Sequence, residues 1–142
     1  LIPPAVDRHP DHERASRLAR DAAFYAGLVK RGDGAPHRPV AVWETLLHGV
    51  DAPDLVVDVS AVWERKERAL DAYRSQLAPR DGASAAAGPE TLVSRGDFRG
   101  FVRARARLLG QAIGVPYGEG FTVRGPVAVD PLAVLASGEA AQ

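Results

Sequence analysis

Leu55-Val56-Val57-Asp58-Val59 constrains the fold more than any other stretch of this chain, being a short, β-branched, nearly continuous apolar run bounded by turn residues. Such a run is too short for a stable helix, and β-branched side chains suit a pleated surface, so it reads as a strand. A strand apolar at consecutive positions is expected to be buried on both faces, and layers must then cover both. Val40-Ala41-Val42-Trp43 reads in the same way. Helical patterns surround these runs. Ala15, Leu18, Ala19, Ala22, Ala23 and Ala26 follow the helical period, and Gly27 or Gly32 can end that helix. Ser60 is placed to cap a second helix, with Glu64 near the capping-box position and a stripe of Val62, Lys66, Ala69, Leu70, Tyr73 and Leu77. A third helix is expected from about Asp97 to Gly110, with Phe98, Phe101, Val102, Leu108, Leu109 and Ala112 inward. Phe121-Thr122-Val123 and Val127-Ala128-Val129 read as short extended pieces. The order predicts an α/β layer structure with a mostly parallel sheet.

A chain of 142 residues is about one domain, expected here as residues 1–135 followed by a flexible tail, 136–142. Residues 30–39 and 79–89 are rich in Gly, Pro or Ala and read as loops. Formal net charge is zero, which gives no electrostatic case for nucleic acid or an anionic membrane as partner. There are no cysteines, hence no disulfide framework, thiolate nucleophile or thiolate metal site. No apolar run reaches the roughly 18 residues of a membrane span and no signal peptide is visible, so the cytoplasm is the expected location. The first residue is Leu1, inside what reads as a strand end, and the expectation is of a sheet that continues upstream.

The chemistry concentrates in Asp7-Arg8-His9-Pro10-Asp11-His12, where the first helix begins. Histidines three apart on a helix share a face, and Pro10 suits a first turn because its missing N–H is not needed there. In the functional reading His12 is a metal ligand, His9 a nearby acid or electrostatic stabiliser, and Asp11 holds one histidine by a hydrogen bond. In the alternative, Asp11 and the histidines only cap a helix. With His12 as its one direct ligand, the motif falls short of the three protein ligands plus open position of a catalytic zinc site, so it reads as half of one.

Other polar residues carry two readings each. Arg38, in Pro36-His37-Arg38-Pro39, can clamp a carboxylate or be a solvated loop cation, and His37 and His48 have the same status. Asp58 is either catalytic or an organiser of the following helix start. Tyr73, Ser75 and Gln76 either reach a site or cap carbonyls. Arg105 reads as a structural ion-pair partner, and Arg99, Arg103, Arg105 and Arg107 together as a solvated helix face.

Several stretches, in order along nearly the whole chain, resemble one family: Asp7–His12, Ala22–Leu28, Pro36–Pro39, Val56–Ser60, Ala72–Gln76, Ala104–Arg107 and Gly114–Glu119. The family is the zinc-dependent LmbE/PIG-L N-acetylglucosaminyl deacetylases, and the most similar branch is the bacillithiol-biosynthesis deacetylase acting on N-acetylglucosaminyl-malate. The resemblance implies the carboxy-terminal part of a Rossmann-like three-layer α/β/α fold and a zinc-dependent amide hydrolase. In this family an amino-terminal Ala-His-Pro-Asp-Asp segment supplies two zinc ligands and the general base, and that segment does not occur in this sequence. By the same resemblance His12 would be the third ligand of one Zn2+, and His9 would stabilise the oxyanion or protonate the leaving amine. Asp11 would tune His9, and Arg38 would line the substrate site. Some relatives carry a tyrosine near Phe98. The implied partner is a small-molecule GlcNAc conjugate, the implied assembly a homo-oligomer, including hexamers, and the fragment alone is expected to be inactive. The competing readings are a deacetylase of the same family acting on another GlcNAc conjugate and a non-catalytic α/β module that pairs through an open sheet edge.

Overall fold

The computed structural model describes residues 1–47, 52–73, 76–77, 91–94 and 97–126. They form α1 (Pro10–Ala26), β1 (Trp43–Thr45), β2 (Leu55–Asp58), a 3₁₀ turn (Ser60–Val62), α2 (Trp63–Asp71), α3 (Phe98–Ala112) and β3 (Gly118–Val123). The expected Val127–Val129 piece, the loop 79–89 and the tail lie outside the described residues. The fold is α/β. Its strands follow the order β1-β3-β2, and the chain passes between two compact units within β2 and β3.

The first unit holds Leu1–Leu55 and the segment from Gly120. Its helix, α1, contains no β-branched residue and opens on Pro10 at the first position, with Asp11 and Glu13 in the first turn facing the positive end of the helix. Gly27 ends it, its amide donating to Phe24 O at 3.2 Å. The apolar stripe does not lie inward as expected. Leu18 is 71% exposed and Ala15, Ala22 and Ala26 are exposed too, while Ser16 is buried and Ala19, Arg20 and Ala23 are half-buried. The cause is Glu44 on β1, 7% exposed, whose Oε1 accepts from Arg20 at 2.5 Å. Arg20 also donates to Ser16 Oγ at 3.0 Å, so a charge pair fixes the rotation of the helix.

β1 and β3 pair antiparallel in the register Trp43–Val123, Glu44–Thr122 and Thr45–Phe121, which brings the Trp43 and Phe121 rings to 5.8 Å. Asp54 N donates to Phe121 O, and Val59 N to Tyr117 O, so the partners descend as the chain ascends. The mostly parallel sheet is therefore corrected. Among the described residues the one parallel pairing is the bridge of Ile2 to Glu44, made by Ile2 N to Trp43 O and Thr45 N to Ile2 O, both 2.9 Å. A continuous apolar run reports burial and carries no information on strand direction, which the connections decide. Burial on both faces also fails for β2, where Val57 and Asp58 are exposed.

The second unit, Val56–Glu119, is built on Trp63 (3% exposed) stacked on Tyr117 at 4.3 Å with the rings 5° apart. Ser60 does not cap α2. Its hydroxyl accepts from Tyr117 N at 3.0 Å, while Ser60 itself opens the 3₁₀ turn. α2 stops at Asp71, short of Leu77, and α3 runs two residues past the expected Gly110. Gly110 lets the end of α3 meet the following segment. A Cβ there would sit 2.6 Å from Val115 O and 2.8 Å from Tyr117 N.

The arginines of α3 are mostly engaged: Arg99 pairs with Asp71 at 3.0 Å and Arg103 with Glu67 at 3.7 Å. Arg105 is half-buried; burial lowers its pKa, and the nearby Glu119 carboxylate opposes that shift. The Arg103 hydrogen bond to the Tyr117 phenol, with the Arg107 guanidinium beside it, holds that phenol below its ordinary pKa.

Candidate functional site

The start of α1 gathers four of the motif's side chains. His9 is the N-cap residue, in extended conformation, and its Nδ1 accepts from the Asp11 amide at 3.2 Å. The carboxylate that organises the turn is Asp7. Its Oδ1 accepts from the His9 amide at 2.8 Å and lies 3.1 Å from His12 Nδ1. The Asp7 side chain is only 3% exposed, against 31% for His12. Glu13 reaches back from the first turn to accept the Asp7 amide at 3.2 Å. The result is a pair of stacked imidazoles, centroids 4.9 Å apart and planes 28° from parallel.

Asp11, expected to hold a histidine, has its carboxylate in solvent. Oδ1 takes Arg14 at 3.2 Å, and Oδ2 is 3.9 Å from His9 Nδ1. Asp7 is the residue that sequence reasoning passed over. Its signal was there, two residues before the N-cap, where a carboxylate can fold back over the first turn.

The donor chemistry of His12 suits a metal. With Nδ1 3.1 Å from the Asp7 carboxylate, Nε2 is the nitrogen that could coordinate a metal. Among the described residues no group of three His, Cys, Asp or Glu side chains is disposed to hold an ion.

Arg38 is not brought to this site. Its Cγ and Nε lie 2.7 Å from where a Cβ of Gly27 would be, against the other end of α1. Gly27 follows His12 by fifteen residues, which is about 22 Å of helix. There Arg38 lines a cleft of about 550 Å³ in the first unit. Its neighbour His37 is exposed and donates its amide to Ala26 O at 2.8 Å. Asp58 organises the following turn. The Ser60 hydroxyl and amide, the latter at 2.8 Å, hold its carboxyl below the usual range. Tyr73 and Gln76 lie beyond the end of α2, whereas Ser75 and His48 are outside the described residues.

No protein-family model matches the chain. Among solved structures, a conserved protein from Thermus thermophilus is similar at 34% identity over 92% of this chain and 53% of its own, with a TM-score of 0.73. An N,N'-diacetylchitobiose deacetylase from Pyrococcus horikoshii, solved with an inhibitor, is similar at 26% identity over 91% of this chain and 46% of its own, with a TM-score of 0.58. The chain thus spans about half the length of these structures. Its α/β fold is like theirs over nearly all of its residues, and one of the two is a deacetylase.

Proposed function

We propose that this chain carries part of the active site of a zinc-dependent amide hydrolase that removes the N-acetyl group from an N-acetylglucosaminyl conjugate, with N-acetylglucosaminyl-malate as the substrate. The observation that carries the reading is the stacked His9–His12 pair with His12 Nδ1 set against the nearly buried Asp7 carboxylate. The similarity to a diacetylchitobiose deacetylase supports the reaction class.

His12 Nε2 would ligate the zinc, and a zinc ion at such a site lowers the pKa of bound water and polarises an acyl oxygen. Water adds to the acetyl carbon, the C–N bond breaks, acetate leaves and the sugar amine takes a proton. His9 supplies that proton from Nε2, the nitrogen not used in capping. In its neutral state His9 accepts the Asp11 amide at Nδ1, which places its one proton on Nε2. In its charged state His9 has the Asp11 carboxylate, 3.9 Å from Nδ1, as a nearby counter-charge. A cationic His9 would also stabilise the oxyanion.

Arg38 as an anchor for the malate carboxylates belongs to this reading too, with the condition that the loop carrying it approaches the histidines from the far end of α1. The reading further holds that the protein is a cytoplasmic homo-oligomer, such as a hexamer, and that these 142 residues alone turn over little substrate because metal affinity depends on the full ligand set.

The test is zinc content and acetate release from N-acetylglucosaminyl-malate, for this chain and for its upstream-extended form. Metal and activity in the extended form, lost on His9→Ala and on His12→Ala, are expected. Activity that survives His12→Ala, or neither property in either form, refutes the reading and leaves a non-catalytic α/β module.

A further inference from the structure

Asp33-Gly34 is the one aspartate–glycine step among the described residues, and it stands in a loop tied off at its base. The His37 amide donates to Ala26 O at 2.8 Å, and residues 29–41 are exposed throughout. Neither the Asp33 carboxylate nor the Gly34 amide has a hydrogen-bond or ion-pair partner among the described residues. A Cβ at Gly32 or at Gly34 would meet nothing within 4 Å. The other described aspartates are each held back. Asp7 is nearly buried and precedes Arg8, Asp54 accepts the Val123 amide at 2.7 Å, and Asp58 accepts the Ser60 amide at 2.8 Å. Asp11, Asp21 and Asp71 lie within helices and Asp97 directly precedes one, where a fixed backbone holds the carboxyl away from the next amide nitrogen. The chain has no asparagine to compete in the same chemistry.

We propose that Asp33 is a site of spontaneous backbone modification, at which the Asp33-Gly34 link converts to an isoaspartyl link. The Gly34 nitrogen attacks Cγ of the protonated Asp33 carboxyl, a C–N bond forms, and the amide proton leaves with the carboxyl hydroxyl as water. The product is a cyclic succinimide, which water then reopens. Addition at Cγ restores aspartate. Addition at the α-carbonyl carbon breaks its bond to the Gly34 nitrogen and leaves the chain running through Cγ. The backbone gains one methylene, the former α-carboxyl becomes the charged side group, and the composition of the chain is unchanged. Ring closure needs an amide nitrogen without a hydrogen bond, a backbone able to turn at the aspartate, and no Cβ on the following residue. Asp33-Gly34 supplies all three. The proposal stands on this loop alone and does not rest on the deacetylase reading.

The experiment is incubation of the folded chain at neutral pH and physiological temperature, sampled over weeks. Peptide mapping with electron-transfer fragmentation distinguishes isoaspartate from aspartate residue by residue. Isoaspartate is expected at position 33, accumulating faster than at any other described aspartate, with the succinimide, lighter by one water, on the same peptide. The rate at position 33 should match that of the urea-unfolded chain within about threefold, since an exposed loop without internal hydrogen bonds opens at almost no cost. Gly34→Ala should slow the reaction several-fold by placing a Cβ beside the attacking nitrogen. It should leave the melting temperature unchanged, because that Cβ meets nothing and Gly34 is not in the left-handed region. Asp33→Glu should abolish the signal at position 33, since closure there would need a larger ring. No isoaspartate at position 33, or a faster rate at another described aspartate, overturns the proposal. So does suppression by folding of more than about threefold, or a Gly34→Ala protein that isomerises like wild type. Failure to hydrolyse the acetamide would sink the preceding section and leave this site standing.

Discussion

Glu44→Gln tests the polar core of the first unit most sharply, because the substitution keeps the shape and removes only charge and acceptor capacity. Both carboxylate oxygens of Glu44 face donors, two guanidiniums on Oε1 and a backbone amide on Oε2. A glutamine has one acceptor oxygen and one NH2 group, so whichever way it turns, its NH2 opposes another donor. Breaking a buried ion pair from one side costs about 3–5 kcal/mol, and a hydrogen bond to a charged group is worth about 1.5–3 kcal/mol. Two features reduce the figure here. The Arg20 side chain is 25% exposed and can turn part of its guanidinium to water, and Arg124, at 67%, contributes almost nothing. The expected loss is about 2–3 kcal/mol, read in urea as a lower midpoint at unchanged slope. Arg20→Gln combined with Glu44→Gln should cost less than the sum of the two, because each alone strands the other. A Glu44→Gln protein within about 0.5 kcal/mol of wild type at neutral pH would show that the pair does not hold α1 in place.

Acidification gives the same prediction a second axis. Burial alone pushes the Glu44 carboxyl up, but the Ala5 amide and the Arg20 guanidinium outweigh it and hold it below the ordinary 4.5. A carboxyl depressed in the folded state contributes stability that is complete above the unfolded value and is lost as pH falls through the folded one. The gap between wild type and Glu44→Gln should therefore be constant above pH 4.5 and shrink below it.

Two further outcomes follow from close contacts and from the first turn of α1. Gly110→Ala should destabilise by about 1–3 kcal/mol, because its Cβ would meet the Val115 and Tyr117 backbone rather than a side chain that could move. Gly100→Ala, in the same helix with nothing within 4 Å, should stabilise by about 0.5–1 kcal/mol, and urea midpoints of opposite sign check the pair. Asp7→Ala should cost about 1–2 kcal/mol, since the Asp7 carboxylate is nearly buried and holds the His9 amide. Asp11→Ala, with an exposed carboxylate, should stay within about 0.5 kcal/mol, and the reverse ranking would return the organising role to Asp11.

What the sequence revealed is what local rules decide. The start of α1 was legible in His9-Pro10-Asp11, its end in Gly27, and the two β-branched runs marked β1 and β2 to within a few residues. What it hid depends on partners far along the chain. The inward face of α1 is set by Glu44, and Leu18 is exposed because a charged pair took the place its apolar side chain would claim. Ser60 has a capping residue's chemistry, yet its hydroxyl is used on Tyr117, fifty-seven positions away. Strand direction was hidden for a different reason, since apolar continuity measures burial alone.

Helix capping and the placement of the His12 ring are joined in the structure by a single atom. Asp7 Oδ1 both receives the amide of the N-cap residue and faces Nδ1 of His12. The first contact fixes where the helix begins, and the second fixes which nitrogen of His12 is turned outward. Pro10 restricts the backbone between them, and the Asp11 amide holds the His9 ring from the other side. A helix start built in this way stacks two imidazoles through contacts among residues 7–13. The same economy makes Asp7 the position where a lost cap and a misaligned histidine are one event. A variant there that lowered helix stability while leaving the two rings stacked at their present angle would separate the two functions again.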